Sequence, residues 1–479
     1  MTDLTKLIGT DGGLTVEITP FLNRELKEPL YSQLYQWIKK EIEEGRLLSG
    51  MKMPSIRQLM IHLKISRNTV ETAYQQLQSE GYLESVPKSG VWVAEIEKPI
   101  IHPIEMEQAM VFDSEPSGEV LVDFEYGNVN LDKFPLKQWK KCLTDVIDQE
   151  NSWLFQYGDN QGEFALRQQI SQYLLQSRGV HCIPEQIVIT AGTQSSIALI
   201  CKILALQGKS VAMEEPGYSG VSSVFKDKGC YIENVTLDKD GLSVEYMQTC
   251  NAKAVYVTPS HQFPLGMVLP ISKRMRLLKW AYQTGGYIIE DDYDSEFRYQ
   301  GKPIPSLKSL DEDEKVIYLG TFSKSFLPSI RLSYIVFPPS LVDQYLQKNA
   351  SYNQSVSPII QRAIAKFMQC GEFERHIRRT RKLYQRKHQT LLRSIEQYMG
   401  SKVEIIGEKS GLHILLKIKG ISSNILIEKG LQKGVKVYSP SRFWSNSKSK
   451  DNSYIMLGFG GLSIEEIEDG VRILASCLP

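Results

Sequence analysis

The chain has 479 residues, which is enough for about three domains of ordinary size. Hydrophobic residues make up 42% of it and charged residues 23%, which excludes a chain that is disordered throughout. The 56 Lys and Arg residues almost balance the 55 Asp and Glu residues, so any surface that binds nucleic acid must be local.

Targeting and metal-binding signals are missing from the sequence. Residues 1–20 have no long apolar core, and no run of about 18 apolar residues occurs anywhere. The seven cysteines are scattered and form no CxxC pair. We therefore expect a cytoplasmic protein with free thiols, no metal site and no contact with a membrane.

The first 95 residues predict three helices followed by a β-hairpin. Apolar residues recur every three or four positions from Leu30 to Ile42, and again after Pro54-Ser55. Ser66 can cap a third helix, and residues 82–86 and 91–94 then alternate like two strands. This order of elements is typical of a winged helix-turn-helix.

The start of the third helix carries side chains suited to DNA. Arg67 can bond guanine, Asn68 can read adenine, and the hydroxyls of Ser66 and Thr69 favour phosphates. Between positions 52 and 70 no acid occurs, while four residues are basic: Lys52, Arg57, Lys64 and Arg67. This asymmetry predicts a surface for double-stranded DNA. The alternative is a helical dimerisation module whose polar face is only solvated.

Three phrases of this segment carry a family resemblance: Met53-Pro54-Ser55-Ile56-Arg57, Ser66-Arg67-Asn68-Thr69-Val70 and Glu80-Gly81-Tyr82-Leu83. With them, the stretch from Pro29 to Val93 resembles a GntR-type DNA-binding domain. The resemblance implies DNA contacts by Arg57, Arg67, Thr69 and Gly90. Lys88, beside Gly90 at the hairpin tip, is a further candidate for the minor groove or the backbone.

Residues 96–121 predict a linker. They contain Pro99, Pro103 and Pro116, several acids and a Ser-Gly pair, with only weak periodicity. We expect a partly extended segment that joins a DNA-binding domain at 1–95 to a larger domain at 122–479.

The larger domain predicts an α/β fold with a mostly parallel sheet. Strand-like runs at 187–190, 210–213, 254–257, 287–290 and 316–319 are mostly separated by helical stretches. Ligands of such sheets bind at the carboxyl ends of the strands. The residues that follow each run are therefore the candidate site.

Five motifs follow these runs. An anion-binding turn at Gly192-Thr193-Gln194, the aromatic Tyr218 and a polar loop with His261 and Gln262 come first. Four carboxylates at Glu290, Asp291, Asp292 and Asp294 then favour a metal or a cationic nitrogen as partner. Lys324 lies last, between the hydroxyls of Thr321, Ser323 and Ser325, with Arg331 seven residues on. Each motif alone has an ordinary structural explanation.

The order of these motifs resembles pyridoxal phosphate enzymes of the aspartate-aminotransferase type. The resemblance covers Val122 to Leu478 and implies fold type I, with a smaller α+β subdomain at the C-terminus. It implies that Lys324 forms the Schiff base, Asp291 partners the pyridine nitrogen and Tyr293 bonds the ring hydroxyl. Stacking by Tyr218 and a phosphate cradle are also implied, the cradle comprising Gly192, Thr193, Gln194, Thr321, Ser323 and Arg331. His261 and Gln262 lie where aminotransferases carry an Asn-Pro-Thr-Gly turn. The resemblance therefore does not imply which residue of this loop, if any, hydrogen-bonds the ring hydroxyl.

The fusion of the two domains resembles the MocR subfamily of GntR-type transcription regulators. It implies a head-to-tail, domain-swapped homodimer on an operator with two half-sites, and Tyr157 would reach the phosphate of the neighbouring subunit. Three functions stay open: a regulator of vitamin B6 synthesis with pyridoxal phosphate as effector, a regulator responsive to γ-aminobutyrate (GABA) or another amino acid, and a working aminotransferase. We expect at most vestigial transaminase activity.

Arginines bear on the choice among these functions. In the GABA-responsive member of the subfamily, the turn that corresponds to the one after Tyr218 carries an arginine that binds the effector carboxylate. Here that turn reads Ser219-Gly220, and only the second carboxylate-binding arginine of the family has a match, at Arg442.

A basic stretch at 375–393 predicts an amphipathic helix of the larger domain. It holds eight cations: Arg375, Arg378, Arg379, Arg381, Lys382, Arg386, Lys387 and Arg393. An apolar stripe accompanies them. The face is either ordinary solvated surface or a surface that lies along bound DNA.

Overall fold

The computed structural model describes residues 6–8, 14–16, 18–95, 120–148, 156–299, 304–445 and 453–479. The chain divides into two compact units, Met1–Glu115 and Pro116–Pro479. The division falls within the predicted linker, whose residues 96–119 lie outside the described residues. The predicted domain boundaries therefore stay a prediction. In the described parts of the chain, no helix is both long and apolar enough to cross a membrane.

The N-terminal unit has the predicted order of three helices and a hairpin. Its elements are β1 (Lys6–Ile8), β2 (Leu14–Val16), α1 (Leu30–Glu43), α2 (Ile56–Leu63), α3 (Arg67–Ser79), β3 (Leu83–Val86) and β4 (Gly90–Val93). A capping box at Ser55 starts α2, and the Ser66 side chain caps α3. The three helices bury one apolar core that includes Leu34, Leu59 and Leu77. This arrangement confirms the winged helix-turn-helix.

The C-terminal unit has a large α/β part and a small α+β part, as predicted. Up to the end of the large sheet its elements are β5 (Val122–Asp123), α4 (Leu136–Ile147), α5 (Phe164–Arg178), β6 (Ile187–Thr190), α6 (Thr193–Ile203), β7 (Ser210–Glu215), α7 (Ser219–Asp227), β8 (Tyr231–Asp238), β9 (Gly241–Leu242), α8 (Val244–Thr249), β10 (Ala254–Val257), α9 (Ile271–Thr284), β11 (Tyr287–Asp292), β12 (Val316–Thr321), α10 (Phe322–Ser325) and β13 (Ser333–Val336). The remaining elements are α11 (Pro339–Asn349), α12 (Pro358–Gln369), α13 (Glu372–Tyr398), β14 (Val403–Ile406), β15 (His413–Ile418), α14 (Ser423–Gln432), β16 (Val435–Lys436), β17 (Tyr454–Gly458) and α15 (Ile464–Ala475).

Eight strands form the large sheet, in the order β6-β13-β12-β11-β10-β7-β8-β9. The five strands from β12 to β8 in this order are parallel, whereas β13 runs antiparallel to both of its neighbours. All four residues of β6, β10 and β13 are buried, as expected for strands covered on both faces. A separate antiparallel sheet, β14-β15-β17, forms the small part.

Three strands extend further than their sequence patterns indicate, and β7 runs to Glu215 rather than to position 213. β11 runs to Asp292 and β12 runs to Thr321, with Asp291 opposite Leu319. The polar residues that were expected just past these strands are therefore their last residues. Because parallel strands end at one edge of the sheet, this register brings the two motifs together.

Candidate ligand pocket and DNA-binding surface

A cavity of about 450 Å³ opens at the carboxyl ends of the central strands. Thr258 follows β10, Asp291 lies near the end of β11, and Thr321 ends β12; all three line the cavity. Ten of the predicted site residues line it together: Thr193, Gln194, Tyr218, Asp291, Tyr293, Thr321, Ser323, Lys324, Arg331 and Arg442.

One wall of the cavity is suited to an anion. It combines the hydroxyls of Thr321 and Ser323 with the Arg331 guanidinium, and α6 begins beside it at Thr193. Gly192 has a φ of 99°, and a Cβ built there would lie 2.5 Å from Arg331 Nη2. Glycine therefore allows both the backbone conformation and the approach of the guanidinium. The free N–H groups of the first turn of α6 add to this cradle.

All four clustered carboxylates have partners within the protein, and three of them lie outside the cavity lining. Glu290 accepts two backbone N–H groups, at 2.7 and 2.8 Å. Asp292 pairs with Arg178 at 2.6 Å, and Asp294 Oδ2 lies 2.8 Å from His261 Nδ1. The described residues contain no group of His, Cys, Asp and Glu that could hold a metal ion. These partners offset only part of the repulsion, because neighbouring carboxylates still help to raise the pKa of Glu290 and of Asp291.

Asp291 is the member of this cluster that faces the cavity. Its Oδ2 accepts a hydrogen bond of 2.5 Å from the Tyr256 hydroxyl. Its Oδ1 is buried and has no hydrogen-bond partner among the described residues. Burial, aided by the neighbouring carboxylates, raises the Asp291 pKa to about 7. A cationic N–H group placed in the cavity would satisfy this oxygen and stabilise the carboxylate.

Lys324 brings a buried amine to the same cavity. It lies on the short helix α10, and its Nζ lies 4.0 Å from the centroid of the Tyr126 ring. No acid lies within ion-pairing distance of it in the described part of the chain. Burial lowers the Lys324 pKa to about 8, although the charges of Asp294 and Glu125 oppose the shift. A larger fraction of this amine is therefore neutral and nucleophilic than in an exposed lysine.

Aromatic rings form the rest of the wall, and the sequence motifs missed most of them. Tyr218, Phe263, Tyr293 and Phe443 line the cavity, and Phe263 packs against Phe443 with ring centroids 4.7 Å apart. Further lining residues that were not anticipated are Tyr126, Gly127, Ser219, Gly220, Tyr256, Thr258 and Pro328. A stacking aromatic after β7 was expected, and Tyr218 occupies that place.

The polar loop after β10 contacts a residue that lines the cavity but does not itself contribute His261 or Gln262 to the lining. His261 and Gln262 are buried and do not line the cavity. The Tyr293 hydroxyl donates to the His261 carbonyl at 3.0 Å and lies 3.0 Å from His261 Nδ1. Gln262 donates to the carbonyls of Pro216 and Phe263 and so fixes the loop. His261 can therefore orient Tyr293, and its direct contact with a ligand stays a prediction.

Tyr157 and Arg442 occupy contrasting positions. Tyr157 is 87% exposed and does not line the cavity of its own chain. Arg442 lines the cavity, with its guanidinium carbon 4.9 Å from the centroid of the Phe443 ring. Ser219 and Gly220 line the cavity too, so the turn after Tyr218 supplies no cation.

The N-terminal unit presents the predicted DNA-binding residues at its surface. Ser66 Oγ accepts the Thr69 N–H at 3.1 Å, which leaves the side chains of Arg67 and Asn68 exposed on the first turn of α3. Arg57 on α2 is also exposed. At the hairpin tip, Lys88 is exposed with a φ of 63° and Gly90 has a φ of 110°. Arg57, Arg67, Asn68 and Lys88 are thus all accessible to a ligand such as DNA.

Comparison with known proteins matches both units. Residues 30–93 match the gntR family of bacterial regulatory proteins, and residues 119–444 match aminotransferase class I and II. An uncharacterized HTH-type transcriptional regulator of Bacillus subtilis, YdeL, is 41% identical over 468 residues, which is 96% of this chain and 99% of that protein. The probable rhizopine catabolism regulatory protein MocR of Rhizobium meliloti is 30% identical over 469 residues, which is 95% of each chain.

The chain belongs to the MocR subfamily of GntR-type transcription regulators.

Two further similarities concern this MocR-type regulator, the first over nearly the whole chain and the second over three quarters of it. The pyridoxine biosynthesis transcriptional regulator PdxR of Corynebacterium glutamicum is 29% identical over 462 residues, 94% of this chain and 98% of that protein. The kynurenine aminotransferase of Pyrococcus horikoshii has a TM-score of 0.67 and 26% identity, covering 75% of this chain and 91% of that one. Its crystal structure contains PMP, the amine form of the cofactor. The C-terminal unit of the MocR-type chain binds pyridoxal phosphate, and the unpartnered Asp291 Oδ1 and the Gly192–Arg331 cradle fit that group.

Proposed function

We propose that this MocR-type regulator senses pyridoxal phosphate itself and controls genes of vitamin B6 synthesis. The observation that carries the proposal is the turn at Ser219 and Gly220, which lines the cavity without a cation for a second ligand. The similarity to PdxR over nearly the whole chain supports it. A regulator of this kind would change its affinity for DNA when the cofactor binds.

Most of the residues predicted to bind the cofactor have a role in this proposal. Bound in the cavity, pyridoxal phosphate supplies an electrophilic aldehyde and a ring that withdraws electrons. Lys324 would hold the aldehyde carbon covalently, Asp291 would pair with the ring nitrogen, and Tyr218 would stack on the ring. Tyr293, oriented by His261, would accept a hydrogen bond from the ring hydroxyl, because its own proton is donated to the His261 carbonyl. The cradle would hold the phosphate, and its residues are Gly192, Thr193, Gln194, Thr321, Ser323 and Arg331.

The test compares DNA binding with and without the cofactor. The DNA probe is a duplex selected from a random library by repeated rounds of binding to the protein. This selection identifies a high-affinity sequence directly. We expect pyridoxal phosphate alone to change the affinity of the full chain about fivefold or more. Equal affinity with and without it, combined with a change on adding GABA, would overturn the proposal.

A second candidate effector is an amino acid with one carboxylate, and Arg442 favours it. The guanidinium of Arg442 lines the cavity and can bind a carboxylate bidentately. A working aminotransferase would use the same arginine to bind the carboxylate of its substrate. Sustained turnover of about 1 s⁻¹ or more with amino donors would show that activity.

Replacing Arg442 with glutamine separates these effectors. If pyridoxal phosphate alone is the signal, R442Q should keep the change in DNA affinity on cofactor binding, because the phosphate is held by Arg331 and the cradle. If an amino acid is the signal, R442Q should weaken the response to GABA about tenfold or more, since a charged hydrogen bond is lost. The difference in response is measured by titrating the wild type and R442Q with pyridoxal phosphate and with GABA on the same selected duplex.

A head-to-tail, domain-swapped homodimer on two half-sites is the assembly we propose. Tyr157 supports it, because its side chain is exposed in the single chain yet belongs to the predicted phosphate contacts. Analytical ultracentrifugation should give twice the chain mass of 54.5 kDa. A Tyr157→Phe variant should remain dimeric and bind pyridoxal phosphate more weakly, since only one hydroxyl is removed.

Replacing Arg67 with alanine should weaken binding to selected duplexes by about 1–3 kcal/mol if its guanidinium reads a base. Its Nε lies 3.5 Å from Glu71 in an exposed pair, so the fold should lose little stability. The matched control is Glu71→Gln, which breaks the same pair and should not weaken DNA binding. A similar loss on random duplexes would assign Arg67 to phosphate, and wild-type affinity on both would remove it from the interface.

A further inference from the structure

Helix α13 carries its cations on one side. At 100° per residue, six of the cations predicted in this stretch fall within an arc of about 100°. They are Arg375, Arg378, Arg379, Lys382, Arg386 and Arg393. The opposite side packs into the C-terminal unit through Ile377, Tyr384 and Leu391, which are buried.

Two of the eight cations do not belong to this surface. Lys387 is 1% exposed and donates to the Gly460 carbonyl at 2.9 Å, so the expectation that it is part of a charged face is wrong. It lies on the same side of the helix as the buried core residues, where its ammonium has a carbonyl partner. Arg381 donates to the Glu296 carbonyl and lies toward the packed side.

Five cations of the arc have no counter-charge among the residues that the structure describes. Arg375 pairs with Glu372 at 3.0 Å. The other five have no acid within 4 Å among the described residues, and all are exposed. We call these five the basic face: Arg378, Arg379, Lys382, Arg386 and Arg393.

This pattern is unfavourable for the isolated helix. Arg375 and Arg379, Arg378 and Lys382, and Lys382 and Arg386 are like-charge pairs at i,i+4, a spacing that destabilises a helix. A face that served only solubility would mix both signs, as surfaces of small domains generally do. The repulsion is relieved if an anion covers the face.

The shape of the basic face fits a duplex. Arg378 and Arg393 are fifteen positions apart, which is about 22 Å along the helix. That length of duplex axis carries about a dozen phosphates. Four of the five cations are arginines, whose planar guanidinium binds phosphate oxygens bidentately.

We propose that the basic face binds the phosphate backbone of the duplex that the N-terminal unit recognises. The inference rests on DNA binding by that unit. Because both units belong to one chain, DNA held by the first is at high effective concentration for the second. The contact is to phosphates and carries no base sequence, so it adds affinity and salt dependence on any duplex.

The test replaces Arg378, Arg379 and Lys382 with glutamine in the full chain and uses a random-sequence duplex of about 40 base pairs, longer than two adjacent half-sites. Each lost phosphate contact lowers the slope of log affinity against log salt by about 0.9. The triple variant should therefore have a slope shallower by nearly three units. Between about 50 and 200 mM salt, the wild type should lose about fortyfold more affinity than the variant loses.

Two controls make the outcome decisive. The first replaces Lys226, Lys228 and Lys239, which are also exposed, with glutamine and should keep the wild-type slope at the same net charge. The second replaces the basic-face arginines Arg378 and Arg379 with lysine and should keep most of the slope. Unchanged melting temperature and pyridoxal phosphate uptake of each variant establish that it is folded.

Several results would overturn the proposal. A wild-type slope in the triple variant would do so, as would an equal change in the Lys226 control set. If the wild type pellets with anionic phospholipid vesicles and the triple variant does not, while their salt slopes on DNA are equal, the basic face would be assigned to a membrane instead. If Arg67→Ala lowers DNA affinity while the triple variant does not, DNA recognition by the N-terminal unit stands and only the basic face fails.

Discussion

Replacing Lys324 with alanine is expected to abolish covalent attachment of pyridoxal phosphate to the chain. Lys324 is the lysine whose side chain lines the cavity, and its lowered pKa of about 8 leaves part of the amine neutral at physiological pH. The variant should still bind the cofactor reversibly, because the cradle and Asp291 remain. Borohydride reduction followed by mass spectrometry of the peptides measures attachment directly.

The wild-type chain contains its own control for this result. Burial also lowers the Lys387 pKa to about 8, but that amine is engaged by the Gly460 carbonyl and lies outside the cavity lining. Reduction should therefore label the peptide that contains Lys324 and leave Lys387 unlabelled. Wild-type labelling of Lys324→Ala would reject the assignment.

The same amine predicts a pH dependence of attachment. A neutral amine attacks an aldehyde, and the ammonium does not. The attachment rate should rise as pH increases through about 8 and level off above it, since burial lowers the Lys324 pKa to that value. Stopped-flow absorbance across pH 6 to 10 follows this; a rate that still rises above about pH 10 would indicate an exposed lysine.

Local patterns predicted most of the elements that form the site. The five strand-like runs became β6, β7, β10, β11 and β12, because a buried strand is marked by its own apolar residues. Polar residues at their carboxyl ends then had to meet at one sheet edge. β13 was not predicted, although it lies between β6 and β12 in the sheet. A run of only four residues is a weak signal, and it gives no sign of the direction of the strand.

Residues brought in from distant parts of the chain were the ones the sequence could not reveal. Tyr126 lies in the loop after β5, and Phe443 lies in a short turn after β16, yet both line the cavity beside Lys324. Neither has a local motif, because their positions depend on how the small part packs. Lys387 was different: the helical period places it with Tyr384 and Leu391, so its burial could have been predicted.

Asp291→Asn is expected to separate cofactor binding from the stability of the unliganded protein. The variant keeps an oxygen for the Tyr256 hydroxyl but loses the charge that the ring nitrogen would pair with. Loss of a charged hydrogen bond predicts weaker cofactor binding by about 1.5–3 kcal/mol. Glu214→Gln is the matched control: burial raises the Glu214 pKa to about 7 as well, but its side chain is outside the cavity lining.

The stability of the unliganded variant should change in the opposite direction. Burial raises the Asp291 pKa from an ordinary value near 3.8 to about 7, so between these values the folded protein binds a proton that the unfolded chain does not. The carboxyl therefore destabilises the fold above pH 7, and this cost fades as pH falls toward 4. Asp291→Asn should melt higher than the wild type at pH 8, with a difference that shrinks at pH 5. Differential scanning calorimetry of the cofactor-free proteins measures it. A variant that melts lower than the wild type at pH 8, by an amount that shrinks toward low pH, would mean that Asp291 is ionised and already paired within the protein.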